Sequence, residues 1–236
     1  MRNIWPIFKR ELRAYFDSPT AYVVIIVFLL VTGWFFTTNF FMAGQADMRV
    51  AFGIIPFIFI FITLAITMRL ISEERKSGTM ELLVTMPITD GEIIVGKYLA
   101  AVVLLAAMLI PTLCYPVTIS FLGDMDTGPL IGGYIGLVLM GAGYLAIGTF
   151  GSSLTESQVV AFILSWMMVF IFFLLDKVLF ILPNWMVTPV EYLSIEYHFQ
   201  NIARGVLDTR DIIYYLSLII LALLMAARSL AARRWR

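Results

Sequence analysis

The sequence is poor in charged residues, and this scarcity limits the environments in which the chain is stable. Of its 236 residues, 14% are charged and 61% are hydrophobic, and the mean hydropathy is +0.94. Soluble domains carry about 25% charged residues and roughly 45–50% apolar residues. Because so few charges are insufficient for a water-facing surface, lipid must cover much of the chain, and we predict an integral membrane protein.

The chain also lacks the residues of most catalytic and metal sites. A single cysteine, Cys114, excludes an internal disulfide and a thiol metal site, and a single histidine, His198, excludes the zinc motif HExxH. No GxSxG nucleophile motif is present. Residues 91–98 read GEIIVGKY, close to the phosphate-binding pattern GxxxxGK[ST], but a tyrosine stands where the magnesium-binding hydroxyl residue is required. We therefore expect no catalytic residue, metal or cofactor in this chain.

Long apolar stretches, in contrast, are abundant. About 20 mostly apolar residues form a helix that crosses the hydrocarbon core of a bilayer. We predict an all-α fold and a single domain, residues 1–236, in which Pro111 and Pro116 interrupt the third span. Gly132 and Gly136 form a GxxxG pair in the fourth span, which serves either packing within the subunit or a dimer seam. The six predicted spans are residues 19–41, 51–71, 92–120, 130–150, 159–182 and 212–231.

Lysine and arginine are unevenly distributed between the two sides of the predicted membrane. With six spans both termini lie on one side, which receives twelve of the 16 basic residues, whereas the other side receives four. Since basic loops remain in the cytoplasm, we predict that both termini are cytoplasmic. The twelve are Arg2, Lys9, Arg10, Arg13, Arg69, Arg75, Lys76, Lys97, Arg228, Arg233, Arg234 and Arg236, and the four are Arg49, Lys177, Arg204 and Arg210.

Residues 1–18 form a separate basic segment before the first span. Apolar residues recur there at helical spacing, whereas Lys9 and Arg13 lie four residues apart on another face. This pattern predicts an amphipathic helix at the cytoplasmic interface, with Trp5 at headgroup level. Pro19 is expected to separate this helix from the first span.

Residues 72–90 are the most polar part of the predicted cytoplasmic side. Ser77, Gly78 and Thr79 predict a sharp turn that begins a short helix over residues 80–85. From spacing alone, this segment is either a solvated loop or a docking lever for a cytoplasmic partner.

Two capping boxes are predicted at the starts of spans. Thr89 and Glu92 fit a capping box for the third span, and Ser153 and Glu156 fit one for the fifth. The second box would use up part of the other short loop on this side.

Residues 183–211 form the longest polar stretch on the opposite side. They contain two prolines, several acidic residues and many aromatic residues, so we expect short helices at the outer interface. Asp176 and Lys177 precede this stretch at the end of the fifth span. They are either interfacial or functional charges, and as adjacent helical residues they are not expected to pair with each other.

The segment between the second and third spans resembles a known family. Residues 73–83 read EERKSGTMELL and are followed by Pro87, which is similar to the same segment in permease subunits of type-2 bacterial ABC exporters. The resemblance implies a coupling helix that docks on a separate ATPase, which binds ATP and Mg²⁺. It also implies two ATPase copies and a second permease copy or homologous six-helix subunit. The implied coupling residues are Glu73, Glu74, Arg75, Lys76, Ser77, Gly78, Thr79 and Glu81.

A narrower resemblance extends over other parts of the chain. The sequences SPTAY at 18–22, SIEYHF at 194–199 and RGVLDTRD at 204–211 look like the gliding-motility permease branch. That branch implies a further membrane-anchored partner with an extracytoplasmic domain. The residues expected at an extracytoplasmic gate or partner contact are Asp176, Lys177, His198, Asp208, Arg210 and Asp211.

These observations predict the transmembrane half of an ATP-driven transporter or mechanical transmitter in the bacterial inner membrane. A scaffold that positions partner proteins without moving a solute is the first alternative, and a membrane-embedded enzyme is the second. The lipid bilayer is an expected partner and nucleic acid is not. Nothing in the sequence identifies a substrate.

Overall fold

The computed structural model describes residues 3–43, 48–79, 88–121, 126–179 and 182–233, and every regular element in these ranges is a helix. Within these ranges, six helices are long and apolar enough to cross a membrane, which confirms the predicted all-α fold with six spans. These candidate spans are Pro19–Thr38, Ala51–Lys76, Asp90–Ser120, Thr127–Leu154, Gln158–Val178 and Thr209–Ala232.

Two predicted breaks match observed helix ends, whereas the predicted interruption at Pro116 is wrong, because Pro116 lies inside the helix Cys114–Ser120. The chain turns at Ser18 between the first two helices, and Pro111 lies in a 3₁₀ turn, Ile110–Leu113, within the third span. The helices are α1 (Ile4–Asp17), α2 (Pro19–Ala43), α3 (Arg49–Thr67), α4 (Ser72–Lys76), α5 (Asp90–Leu109), α6 (Cys114–Ser120), α7 (Thr127–Leu154), α8 (Gln158–Val178), α9 (Asn184–Leu193), α10 (Ile195–Ala203) and α11 (Thr209–Arg233).

Helix α7 lies at the centre of the bundle and packs against α3, α5, α8, α10 and α11. Its glycines allow this close packing. A Cβ atom at Gly132 would overlap the Ile202 carbonyl of α10, and one at Gly136 would lie 3.0 Å from the ring of Phe199. The GxxxG pair therefore serves packing within the subunit.

Helix α1 is amphipathic, as predicted. Ile7 and Tyr15 are buried, whereas Lys9 and Arg13 are exposed. The helix packs on α5 where Gly96 leaves room, because a Cβ there would lie 2.9 Å from Cγ2 of Ile7. Burial raises the pKa of the Tyr15 phenol above its ordinary value.

One of the two predicted capping boxes is present. The Thr89 hydroxyl accepts a hydrogen bond from the Glu92 amide at 3.3 Å, and the Glu92 carboxylate accepts one from the Thr89 amide at 3.3 Å. The box at Ser153 is wrong, because α7 continues to Leu154 and Ser157 precedes α8. The Ser153 hydroxyl instead donates to the Phe150 carbonyl within α7.

Candidate functional sites at the two ends of the bundle

The break between α3 and α4 is held by a serine of α7. The Ser152 hydroxyl accepts hydrogen bonds from the amides of Ile71 and Ser72 at 3.1 and 3.2 Å, and donates to the Met68 carbonyl at 3.0 Å. Amides in the first turn of a helix have no partner within that helix. Ser152 therefore fixes α4 on the end of α7. We name the end of the bundle where Ser152 and α4 meet the basic end.

Four charged side chains from three helices meet at the basic end, and we name them the Lys97 cluster. The Lys97 ammonium of α5 lies 3.1 Å from Glu11 of α1 and 3.0 Å from Glu74 of α4. Arg10 completes the cluster at 3.2 Å from Glu74 and 4.0 Å from Glu11. The cluster links α1, α4 and α5 through charges.

Burial makes the Lys97 cluster more than a surface ion pair. The Lys97 side chain is 2% exposed and each glutamate side chain is 18% exposed, whereas Arg10 is 54% exposed. A buried ammonium is costly unless it is paired and hydrogen-bonded. Two carboxylates therefore stabilise one buried cation. The approach of α1 to Gly96 brings Glu11 next to Lys97. Gly96 and Lys97, which belong to the sequence at 91–98 that resembles a phosphate-binding pattern, therefore serve the packing of α1 on α5.

The predicted coupling residues divide into an inward-facing and an exposed set. Glu74 belongs to the Lys97 cluster, and Arg75 donates a hydrogen bond to the Ser153 carbonyl. Glu73 is exposed and lies 3.7 Å from Arg69 one turn earlier. The other exposed residues of the described segment are Lys76, Ser77, Gly78 and Thr79.

The turn after α4 forms as the sequence predicts. Gly78 has a φ of +70°, a conformation that side chains other than glycine rarely adopt. The Thr79 hydroxyl donates to the Glu74 carbonyl at 3.2 Å and lies 2.9 Å from the Ser77 hydroxyl. Glu81 and the predicted short helix over residues 80–85 lie outside the described residues.

We name residues 72–90 the coupling segment, after the role that the resemblance implies. A cavity of about 440 Å³ lies between its described part and residues 156–159 at the start of α8. It is lined by Lys76 on one side and by Glu156, Ser157, Gln158 and Val159 on the other. Charges of both signs therefore surround a recess on the exposed side of α4. The recess is large enough to admit side chains of another protein.

At the opposite, far end, a buried pair joins α10 and α11. The Nδ1 atom of His198 lies 2.6 Å from the Asp211 carboxylate, and Nε2 lies 3.2 Å from the Tyr192 carbonyl. Tyr214 stacks on the imidazole at 4.0 Å between ring centroids. His198 and Asp211 were both predicted as site residues, and the structure brings them together.

The remaining predicted residues at the far end form two further pairs, apart from His198 and Asp211. The Asp208 carboxylate accepts a hydrogen bond from the Arg210 amide at 2.9 Å, and both residues are exposed at the start of α11. The prediction that Asp176 and Lys177 do not pair is wrong, since the ammonium donates to the carboxylate at 2.9 Å. The flexible four-carbon stem of lysine allows this contact between neighbours.

Sequence reasoning missed two buried charges. Lys97 was counted only among the twelve basic residues of the predicted cytoplasmic side, although a charge within an apolar stretch is itself a functional signal. Glu196 was counted only among the acidic residues before the last span. It is 5% exposed, and burial raises the pKa of its carboxyl above the ordinary value, with Gln200 and Lys177 opposing the shift.

Comparison with known proteins bears on most of the chain. A family model described as ABC-2 family transporter protein matches residues 15–232. This range includes all six candidate spans, the Lys97 cluster except Arg10 and Glu11, and both ends of the bundle. No curated protein matches the chain.

Proposed function

Since the chain belongs to the ABC-2 family of transporter proteins, we propose that it couples ATP hydrolysis on a separate ATPase chain to export or to mechanical transmission across the bacterial inner membrane. The chain is a multi-pass membrane protein, and its family implies an ABC ATPase as partner. ATP and Mg²⁺ would be bound by that partner.

The observation that carries this proposal is the Lys97 cluster. Coupling requires that a push on one surface element be carried into the membrane-spanning helices. Glu74 on α4 and Glu11 on α1 share the ammonium of Lys97, which lies in the third span. A displacement of α4 would thus act directly on α1 and α5.

The exposed side of the coupling segment is the proposed docking surface. It consists of Glu73, Lys76 and the turn of residues 77–79, and it borders the 440 Å³ recess. Complementary charges at an interface determine register and specificity more than affinity. We expect Glu81 to extend this surface. Glu74 and Arg75 contribute by holding α4 in place.

The proposed assembly contains two copies of the ATPase and a second permease subunit. In each of α2, α8 and α11, only 17% of the residues in an apolar 18-residue stretch are buried. These helices therefore present much of their apolar surface to lipid or to another subunit. The excess of basic residues at the basic end supports cytoplasmic termini. Within this class we place the chain nearest the gliding-motility branch, on the sequences at 18–22, 194–199 and 204–211, with a membrane-anchored partner at the far end.

Purification of the tagged full-length chain from native membranes tests the proposal. We expect an ATPase chain to co-purify and the complex to hydrolyse ATP. An ATPase rate that responds to an extracytoplasmic partner but to no solute would favour the scaffold alternative. Recovery of a folded chain without any ATPase, under conditions that preserve membrane complexes, would contradict the proposal.

A further inference from the structure

Helix α9 is attached to the far end of the bundle by side chains that contact its last carbonyls. The Tyr192 carbonyl lies 3.2 Å from Nε2 of His198, and the Leu193 carbonyl accepts a hydrogen bond from the Tyr214 hydroxyl at 2.7 Å. The last carbonyls of a helix have no partner within that helix. None of the described side chains of α9 is buried. The attachment of α9 therefore depends on these carbonyl contacts more than on burial.

Both ring nitrogens of His198 face hydrogen-bond acceptors. Nδ1 lies 2.6 Å from the Asp211 carboxylate, and Nε2 lies 3.2 Å from the Tyr192 carbonyl. An ionised carboxylate and a backbone carbonyl accept hydrogen bonds and cannot donate them. A neutral imidazole has one N–H group, whereas the protonated imidazolium has two. Only the protonated ring can therefore donate to both oxygens at once and join α9 to α11.

Burial makes the charge of His198 important to this contact. The side chains of His198 and Asp211 are 3% and 5% exposed, and Oδ2 of Asp211 has no hydrogen-bond partner among the residues that the structure describes. A buried carboxylate is costly unless a cation is paired with it. The imidazolium supplies that cation, and the ring of Tyr214 stacks on it. Loss of the proton would leave Nε2 or Nδ1 with a lone pair facing an oxygen.

Titratable side chains from five helices lie around His198 or its direct neighbours. They are Tyr192 of α9, Glu196 and Tyr197 of α10, Tyr214 and Tyr215 of α11, Tyr144 of α7, and Asp176 and Lys177 of α8. The described side chains of α3 include no titratable group, and Arg204, Asp208 and Arg210 of the turn before α11 are exposed. Burial raises the pKa of the Glu196 carboxyl. Since tyrosine and lysine titrate near pH 10, Glu196 is the member of this set that an experiment must separate from His198.

We propose that His198 is a pH-dependent bridge, which in its protonated form holds the end of α9 on α11 and which releases α9 when it loses its proton. The protonated form predominates at low pH, so the attachment is strongest there and is lost as the pH rises. The far end thereby responds to the acidity of the side of the membrane that it faces. This response belongs to the chain itself and requires no ATPase.

The test is a titration of the full-length chain, purified without a histidine tag, in lipid nanodiscs from about pH 5 to 9. His198 is the single histidine of the chain, so ¹⁵N-histidine NMR reports its protonation directly. A spin label on Trp185→Cys, in a Cys114→Ser background that removes the single cysteine, reports the mobility of α9. Trp185 is 76% exposed, so the label displaces no buried side chain. We expect label mobility to increase with pH over the same range in which His198 loses its proton.

Three variants assign the transition to the bridge. Asp211→Asn removes the charge that stabilises the imidazolium, so the label should become mobile at a pH lower by about one unit or more. Asp208→Asn, the same change at an exposed residue in the adjoining turn, is the matched control and should leave the transition in place. Glu196→Gln should retain a transition that follows the protonation of His198.

The wild-type titration decides the proposal by itself, so a variant that fails to fold does not leave it open. Constant label mobility over the range in which His198 titrates would overturn it, as would a single protonation state of His198 from pH 5 to 9. Equal shifts in Asp208→Asn and Asp211→Asn, or loss of the transition in folded Glu196→Gln, would also overturn it. None of these outcomes would affect the proposed coupling to an ATPase.

Discussion

Removal of both glutamates of the Lys97 cluster should cost far more stability than the two single changes together. The two carboxylate oxygens lie 3.1 and 3.0 Å from the same ammonium nitrogen, so they are at most about 6 Å apart. At an effective dielectric constant of about 20, two like charges at that distance repel by about 3 kcal/mol. A charge-assisted hydrogen bond contributes about 1.5–3 kcal/mol.

The balance of these two quantities sets the expected values. Glu11→Gln or Glu74→Gln loses one charge-assisted bond but relieves the repulsion, so each single change should lower the free energy of unfolding by about 1 kcal/mol or less. The double variant leaves Lys97, whose side chain is 2% exposed, without a carboxylate. An uncompensated buried charge costs about 3–5 kcal/mol. The two changes should therefore be coupled by about 3 kcal/mol.

The measurement is the free energy of unfolding of the purified chain in mild detergent, determined for wild type, both single variants and the double variant. Glu73→Gln is the matched control, because Glu73 is exposed and, among the residues that the structure describes, pairs with Arg69 one turn away. It should change stability by less than about 1 kcal/mol. Additive effects of Glu11→Gln and Glu74→Gln would show that the cluster does not act as a unit.

Three further predictions concern single positions. Ser152→Ala should lower the free energy of unfolding by about 2 kcal/mol, because it leaves two buried amides unpaired. Ser153→Ala, whose hydroxyl donates to the Phe150 carbonyl within α7, should cost less, and equal losses would contradict this role of Ser152. Gly96→Leu should separate α1 from α5 and expose residues 4–17 to protease, whereas unchanged protection would refute the contact. Glu196→Gln should gain thermal stability relative to wild type as the pH rises above about 4.3. A carboxyl with a raised pKa keeps its proton up to a higher pH in the folded state than in the unfolded state, so the wild type loses stability over that pH range. A difference between variant and wild type that is constant from pH 4 to 8 would refute the raised pKa.

Features that depend on local sequence could be predicted from it. The six spans follow from runs of apolar residues, and the box at Thr89 follows from residue types three positions apart. The chain break at Pro19 has the same local origin. These signals need no knowledge of the tertiary fold, because bilayer thickness and backbone hydrogen bonding determine them.

Features that depend on packing between distant segments could not be predicted in this way. Lys97 pairs with Glu11 only because α1 packs on α5 at Gly96. Ser153 suited a cap by residue type, but its neighbour Ser152 bonds α4 and the helix continues past both. The same holds for Glu74, which reads as a surface charge and faces the core of the cluster. Because Glu74 is paired within the cluster, direct contact with the ATPase is expected at exposed residues such as Lys76.

The most direct test of the coupling account is the amount of ATPase retained by two charge-reversal variants. Lys76→Glu changes the exposed coupling segment at the basic end, and Arg210→Glu makes the same kind of change at an exposed residue of the far end. With each tagged variant purified from native membranes at equal permease recovery, we expect Lys76→Glu to retain at least tenfold less ATPase than wild type and Arg210→Glu to retain the wild-type amount. Wild-type retention by Lys76→Glu together with loss by Arg210→Glu would contradict docking at the basic end, and wild-type retention by both would show that the described coupling segment does not carry the contact.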